Sequence, residues 1–274
     1  MYVPFPFSPR ISSHTRTRSK RAPFAVVLAL TALATLGGCS AIPYEYDATD
    51  PDPIEPVNRI MYGITDLADR IMLEPAADLY LLATPDPIQE GVSNFFDNLG
   101  YPDTIINDFL QGKTEQGLSD LGRFAVNSTV GLLGILDVAT LMGLEAHNED
   151  LGQTLGVWGA GEGPYLFVPL LGPHHLRDVG NIPMSIFTNP LYYAQSGITS
   201  PLIALSIIEQ RARLKSASRI RDEAALDPYI FTREAYRQNR NYEIYDGNPP
   251  PLKMDLELDL DVDRELEAEL NGKG

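Results

Sequence analysis

The chain has one cysteine, one tryptophan and four histidines among 274 residues. A single cysteine rules out an internal disulfide as a determinant of the fold. His14, His147, His174 and His175 stand in no HExxH or other metal-ligand spacing, and no serine sits in a nucleophile elbow. Gly112-Lys113-Thr114 imitates the end of a phosphate-binding loop, but Asn107 stands where that loop's first glycine is required. Gly159, Gly161 and Gly163 miss the dinucleotide pattern because Pro164 takes the place of the final glycine. These gaps argue against an enzyme, a metal centre or a nucleotide site. Positive charge is scarce too: 21 Lys and Arg against 37 Asp and Glu give a net charge of −16, which argues against electrostatic binding of nucleic acid or anionic lipid head groups. No apolar run reaches the roughly 20 residues that a single-pass span needs.

What is present starts with a leader. Arg10, Arg16, Arg18, Lys20 and Arg21, with no acid among them, precede an almost wholly apolar Phe24–Leu36 and then Gly37-Gly38-Cys39. That order is the basic region, apolar region and small-residue cleavage site of a secretory signal, here of the lipoprotein kind. Cleavage before Cys39 would leave 236 residues and remove five of the 21 basic residues and none of the 37 acidic ones, taking the net charge to −21. Cys39 is then the expected lipidation site, carrying a covalent diacylglycerol and an N-acyl chain, and no other cofactor is expected. Several acyl chains hold a protein to a membrane firmly where one does not. Ser40 and Ala41 follow, with no aspartate beside the cysteine, so sorting to the outer membrane is predicted.

Composition divides the rest. Residues 39–53 are rich in Pro and Asp and read as a lipidated tether, 54–245 carry the apolar periodicity of a folded body, and 246–274 form an acidic tail that reads as disordered. The body is predicted to be mainly α with few short strands. Ile60, Met61, Ile64, Leu67, Ala68, Ile71 and Met72 share one face of a helix over Asn58–Leu73. Asp86, Pro87 and Gln89 predict a second helix start, with Asp86 as N-cap and Ile88, Val92, Phe95, Phe96 and Leu99 as its stripe. Further helices are predicted over Asp103–Leu110, Thr114–Val130, Ser200–Glu223 and Asp227–Tyr242, and a strand over Tyr165–Leu170.

Two stretches do not suit a water-soluble bundle. Val130–Leu144 is apolar on every side of any helix, with Asp137 its only charge, and must be buried in a protein core or in lipid. Gly156–Pro164 is glycine-rich, which permits unusual backbone angles or close approach of another chain.

The body resembles the MlaA/VacJ lipoproteins. The resemblance is carried by Asp52-Pro-Ile-Glu-Pro-Val-Asn-Arg-Ile-Met-Tyr62, Gly91-Val-Ser-Asn-Phe95 with Asn98-Leu99, Asn107-Asp-Phe-Leu-Gln-Gly112, Arg123-Phe124 with Asn127, and Gly134-Ile-Leu-Asp-Val-Ala139. It continues through Asp150-Leu-Gly-Gln-Thr-Leu-Gly156, Gly163-Pro-Tyr165, Arg177-Asp178, Asp227-Pro-Tyr-Ile230 and Arg233-Glu-Ala-Tyr236. The resemblance implies a ring-like bundle of amphipathic helices lying in the periplasmic leaflet of the outer membrane of a Gram-negative bacterium. Its central channel would take mislocalised phospholipid from the outer leaflet and pass it to a periplasmic lipid carrier protein. An outer-membrane porin trimer would be a neighbour, and an inner-membrane ATP-driven lipid transport complex an indirect partner; no nucleic acid is involved. On this reading Ile60, Met61, Ile64, Leu67, Ile71, Phe95 and Phe96 face acyl chains. Leu132, Leu133, Ile135, Leu136, Asp137, Leu141, Met142 and Leu144 form a gate, and Arg123 and Asn127 are candidates for a polar channel wall. A lipoprotein that merely bridges the membrane and a porin would share the anchor and the helices but need no channel.

Overall fold

Asn58 is fully packed inside the protein, and its side chain ties three segments together. Its Nδ2 donates to Asp52 Oδ1 at 2.7 Å and to the Tyr165 carbonyl at 3.0 Å, while its Oδ1 accepts from the Phe167 N–H at 2.9 Å. The computed structural model describes residues 52–250, which fall in one unit of the chain. The leader, Cys39 and the acidic tail beyond residue 250 lie outside the described residues. Asp52, assigned to the tether by composition, is packed into the folded body.

The described chain is mainly helical. Helix α1 (Glu55–Ala68) continues through a π-helical turn, Asp69–Leu73, into α2 (Glu74–Ala83). Helix α3 (Asp86–Gln111) packs on α4 (Thr114–Thr129). The short α5 (Val138–Leu141) and α6 (Leu151–Val157) follow, then a hairpin of β1 (Tyr165–Val168) and β2 (Gly172–His175), α7 (Asn181–Thr188), α8 (Ser196–Arg213), α9 (Lys215–Ala224) and α10 (Pro228–Ile244). The hairpin is antiparallel, with Tyr165 opposite His175 and Val168 opposite Gly172. Tyr165 and Phe167 alternate inward from β1 and meet Tyr229 of α10 and Met61 and Tyr62 of α1, with rings edge to face at 5.4–6.2 Å.

Several boundaries differ from the sequence reading. The two helices expected over Pro87–Leu99 and Asp103–Leu110 are one 26-residue helix that runs through Pro102. Proline removes one helical hydrogen bond, but Asn98, Tyr101, Thr104 and Asn107 lie on one buried side across it, and Asn98, Tyr101 and Asn107 bond to Ser128, Arg123 and Thr154, which holds the helix continuous. Asp86 is the first residue of α3 and caps nothing; Pro85 precedes the helix, and Gln89 donates instead to the Thr84 carbonyl. The helix expected to open at Ser200 begins four residues earlier and breaks at Leu214 before α9. Strand β2, Gly-Pro-His-His, has no strand-like alternation, and pairing with β1 alone makes it a strand.

The helices are turned inside out relative to a protein in water. In α3 the buried side is Asn98, Tyr101, Asp103, Thr104, Asn107 and Asp108, and in α4 it is Gly117, Asp120, Arg123 and Asn127, while Ile88, Ile106, Phe109, Leu118 and Leu121 are exposed. Helix α1 likewise buries Asn58 and exposes Val57, Ile60, Ile64 and Leu67. Among the described residues seventeen polar or charged side chains are buried against eight apolar ones, so polar pairing rather than an oily core holds these helices together. No helix of the described residues is long and apolar enough to cross a membrane.

Replacing Asn58 with Ala should lower the unfolding free energy by about 2–4 kcal/mol, because the Tyr165 carbonyl and the Phe167 N–H lose their partner while buried, at roughly 1–3 kcal/mol each. Chemical unfolding of the purified protein in detergent, followed by circular dichroism, measures it.

Candidate functional site

The apolar stretch Val130–Leu144 is not a core helix. Only Val138–Leu141 is helical, and the rest is a series of turns that leaves Leu132, Leu133, Ile135, Leu136, Leu141 and Met142 exposed, Leu141 by 86%. Leu132 and Leu133 adopt positive φ, 55° and 62°, where a leucine side chain is strained by about 1–3 kcal/mol and persists only if the surroundings impose it. Neighbouring residues impose it. Asn98 of α3 donates to Ser128 Oγ at 3.0 Å, and its side chain fills the space against Gly134, where a Cβ would come within 2.4 Å of the Asn98 Cβ. With φ at 92°, Gly134 is a position for glycine alone.

Asp137 anchors the far side of the stretch. Both of its carboxylate oxygens accept from one nitrogen of Arg123, Nη2, at 3.0 and 2.9 Å, one of them also accepts from Asn127 Nδ2 at 2.9 Å, and the group caps α5 by accepting from the Thr140 N–H at 3.1 Å. Asn127 Oδ1 in turn accepts from the Ala139 N–H. Burial works to raise the Asp137 carboxyl, but hydrogen bonds from Thr140, Asn127 and Arg123 outweigh it and hold the group down at about 2. Arg123 also donates to the Leu144 carbonyl and, through Nε, to the Tyr101 hydroxyl at 2.8 Å. Arg123 and Asn127, expected as a channel wall, are buried and engaged in this clamp. Leu144 is half-buried and lies at the clamp's edge.

Tyr101 leads from the clamp to a cavity of about 620 Å³ between α3, the 146–150 segment and α7. Its wall is polar, with Asp103, Thr104, Asn148, Glu149, Asp150 and Ser185 among its side chains and no lysine or arginine. Glu149 is buried and takes Lys113 Nζ at 2.8 Å and Gln111 Nε2 at 2.7 Å. Behind it lie Asp108, which accepts from Gln116 at 2.7 Å and is pushed up to about 7 by burial and the charge of Asp120, and Asp120, which meets His147 Nδ1 at 3.0 Å. No three His, Cys, Asp or Glu side chains among the described residues are placed to hold a metal ion.

The expected acyl-facing residues divide. Ile60, Ile64, Leu67 and Ile71 are exposed, Phe95 and Phe96 are half-buried against each other, and Met61 turns inward onto the Tyr165 and Phe167 cluster. Tyr101, Asp103 and the acids around Glu149 were missed by the sequence reading. Their signal is a helical spacing of polar residues opposite each apolar face, which a search for apolar stripes passes over.

A family model for the MlaA lipoprotein matches residues 50–243, most of the described chain. The chain belongs to the MlaA lipoprotein family. It is similar to the intermembrane phospholipid transport system lipoprotein MlaA of Shigella flexneri and that of Escherichia coli strain K12, each 34% identical over 238 residues that cover 82% of this chain and 92% of the relative. The Haemophilus influenzae MlaA is 30% identical over 211 residues, 75% of this chain and 84% of the relative. A solved structure described as the structural basis for maintenance of bacterial outer membrane lipid asymmetry superposes with a TM-score of 0.63 at 32% identity, covering 71% of this chain and all of that one. In this MlaA-family chain the match spans the inverted helices, the clamp and the cavity together.

Asp137→Asn should release the 130–144 stretch, so that hydrogen exchange of its amides speeds up while α3 keeps its protection. The Asp137 carboxyl lies below its ordinary value near 3.9, so its stabilisation is complete above about pH 4 and is lost as pH falls through about 2. The wild type should loosen over that acid window and Asp137→Asn should show no such step.

Proposed function

We propose that this protein is the outer-membrane component of an intermembrane phospholipid transport system, held by acyl chains on Cys39, and that it offers mislocalised outer-leaflet phospholipid a passive way out. The inversion of its helices carries this reading. Exposed apolar side chains on α1 through α4 have acyl chains as their natural solvent, each gaining about 1.5–3 kcal/mol when removed from water. Buried polar groups surround a cavity through which a head group can pass without crossing hydrocarbon unpartnered. The helices lie in the periplasmic leaflet, too deep for phospholipid of that leaflet to enter from the side. A lipid arriving from the outer leaflet enters head group first and leaves to a periplasmic carrier, from which the inner-membrane complex draws it. No covalent step is involved. A porin trimer beside the protein would shield part of its apolar surface.

The stretch from Leu132 to Leu144 is the gate on this reading. Its leucines present an apolar surface at the lipid side, and the Arg123–Asp137 clamp fixes it one side chain away from the cavity wall, through Tyr101.

Cells lacking the gene should accumulate phospholipid in the outer leaflet, and the wild type should reverse this while Cys39→Ala, which cannot take the anchor, should not. An absence of accumulation in the deletion strain would replace transport with a bridging role. A second experiment addresses the gate. The Cβ of a residue at Gly91 would lie 3.1 Å from Ile135 Cγ2, so Gly91→Cys with Ile135→Cys can form a disulfide joining the stretch to α3. Its oxidised form should block lipid removal and its reduced form restore it; equal removal in both states would rule out movement of the stretch at that point.

A further inference from the structure

The carboxylates around the cavity are not equivalent. Asp97 holds Arg213 Nη1 at 2.9 and 3.0 Å, Glu149 holds Lys113, and Asp150 takes both ends of Arg240 at 2.8 and 2.9 Å. His147, also in the wall, is engaged by Asp120, and the Tyr101 hydroxyl by Arg123. Among the described residues Asp103 has no cationic partner. It is only 8% exposed, and its side chain receives one hydrogen bond, a long one of 3.2 Å from Asn107 Nδ2. Burial and the neighbouring charge of Asp150 push its carboxyl up to about 6, so the empty site ionises at a cost that an entering cation would remove. Elsewhere in the wall Asn181 and Asn189 accept backbone N–H groups through Oδ1, from Leu151 at 3.3 Å and Leu191 at 2.9 Å, and keep their NH₂ groups as donors.

We propose that this cavity selects phospholipids whose head group carries an ammonium ion, with Asp103 receiving the ammonium and the amides of Asn181 and Asn189 serving the phosphate. The selection rests on the passage reading above and adds a substrate class to it. A zwitterionic head group brings its own cation to the one unpaired carboxylate. A glycerol head group brings a phosphate and no cation, so the charge of Asp103 stays uncompensated and like-charged to it, and like charges brought together with little screening repel strongly. The selection depends on the ammonium charge, so quaternary choline head groups are accepted and an N-acylated ethanolamine, which has lost its charge, is refused.

The full lipidated protein, incubated with vesicles of equal parts phosphatidylethanolamine and phosphatidylglycerol and re-isolated, should carry the first in roughly fivefold excess over the second, measured by mass spectrometry. Asp103→Asn, nearly the same in shape, should bring the ratio to about that of the vesicles. The wild-type protein offered N-acylphosphatidylethanolamine in place of phosphatidylethanolamine should show no enrichment, which tests the selection even if the variant does not fold. Equal uptake of both lipids by the wild type would overturn the selection and leave the passage standing, and enrichment that survives in Asp103→Asn would remove Asp103 from it. Wild-type protein that carries no phospholipid at all would overturn the passage and the selection with it.

Discussion

Polar side chains buried against one another are the constraint on which the rest of this structure depends. In water, helices gain most of their stability by burying apolar stripes. Here α3 and α4 turn those stripes out and face each other with Asn98, Asn107, Asp108, Asp120, Arg123 and Asn127, and α1 turns Asn58 to Asp52 and the hairpin. An unpaired polar group costs most in such an interior, and the pairing is accordingly dense: Asn58 satisfies three partners, Asn127 two, and Arg123 four different residues. Hydrogen bonds are directional in a way that apolar contacts are not, so the same pairing that binds the helices also fixes where one lies against the next. The aromatic cluster of Tyr165, Phe167 and Tyr229 is the exception, an apolar knot where the hairpin meets α1 and α10, and even there the Tyr229 hydroxyl donates to Asp52.

This inversion explains which parts of the fold were legible in the sequence. A helical repeat has the same period whether its apolar face points in or out, so α1 emerges from spacing, and α4 and α10 from the residues that start and stop them. The direction of the face does not. Met61 shares the spacing of Ile60 and Ile64 yet packs inward, because one side of α1 has to meet the hairpin. Segments that owe their form to distant partners were not legible either. The continuity of α3 across Pro102 depends on residues of α4, α6 and the 130–144 stretch, and β2 depends on β1.

The candidate site was half visible. Val130–Leu144 stands out in composition because no helix can hide it, and Asp137 stands out as its one charge. The partners of that charge did not stand out: Arg123 and Asn127 are unremarkable polar residues in a helix until the fold brings them 2.9–3.0 Å from the carboxylate. A wall role suits polar residues that look spare in the sequence, and these are not spare once Asp137 is folded against them. The cavity was invisible for the converse reason. Asp103 reads as a helix-starting aspartate after Gly-Tyr-Pro, and only the unbroken helix reveals that it points to the interior.

Arg123 joins the two halves of the site, and its surroundings dictate how they can move. One guanidinium serves the Tyr101 hydroxyl at the cavity wall and Asp137, Thr140 and the Leu144 carbonyl in the apolar stretch. Lifting the stretch away while Arg123 stays would leave a buried cation with its main counter-charge removed, a change that costs several kcal/mol and resists partial displacement. The stretch therefore holds its place or leaves with the whole set of bonds broken, and small excursions are suppressed. Were the set to break, Tyr101 would be the one of these four partners left to Arg123, which is how the proposed gate would reach the wall of the cavity. The positive φ angles of Leu132 and Leu133 work in the opposite sense, since release lets both leucines relax to ordinary backbone geometry. Strain in the leucines and the bonds of the clamp thus oppose each other within the stretch, and that opposition is what the proposed gate would draw on in a loop whose composition alone marks it only as apolar.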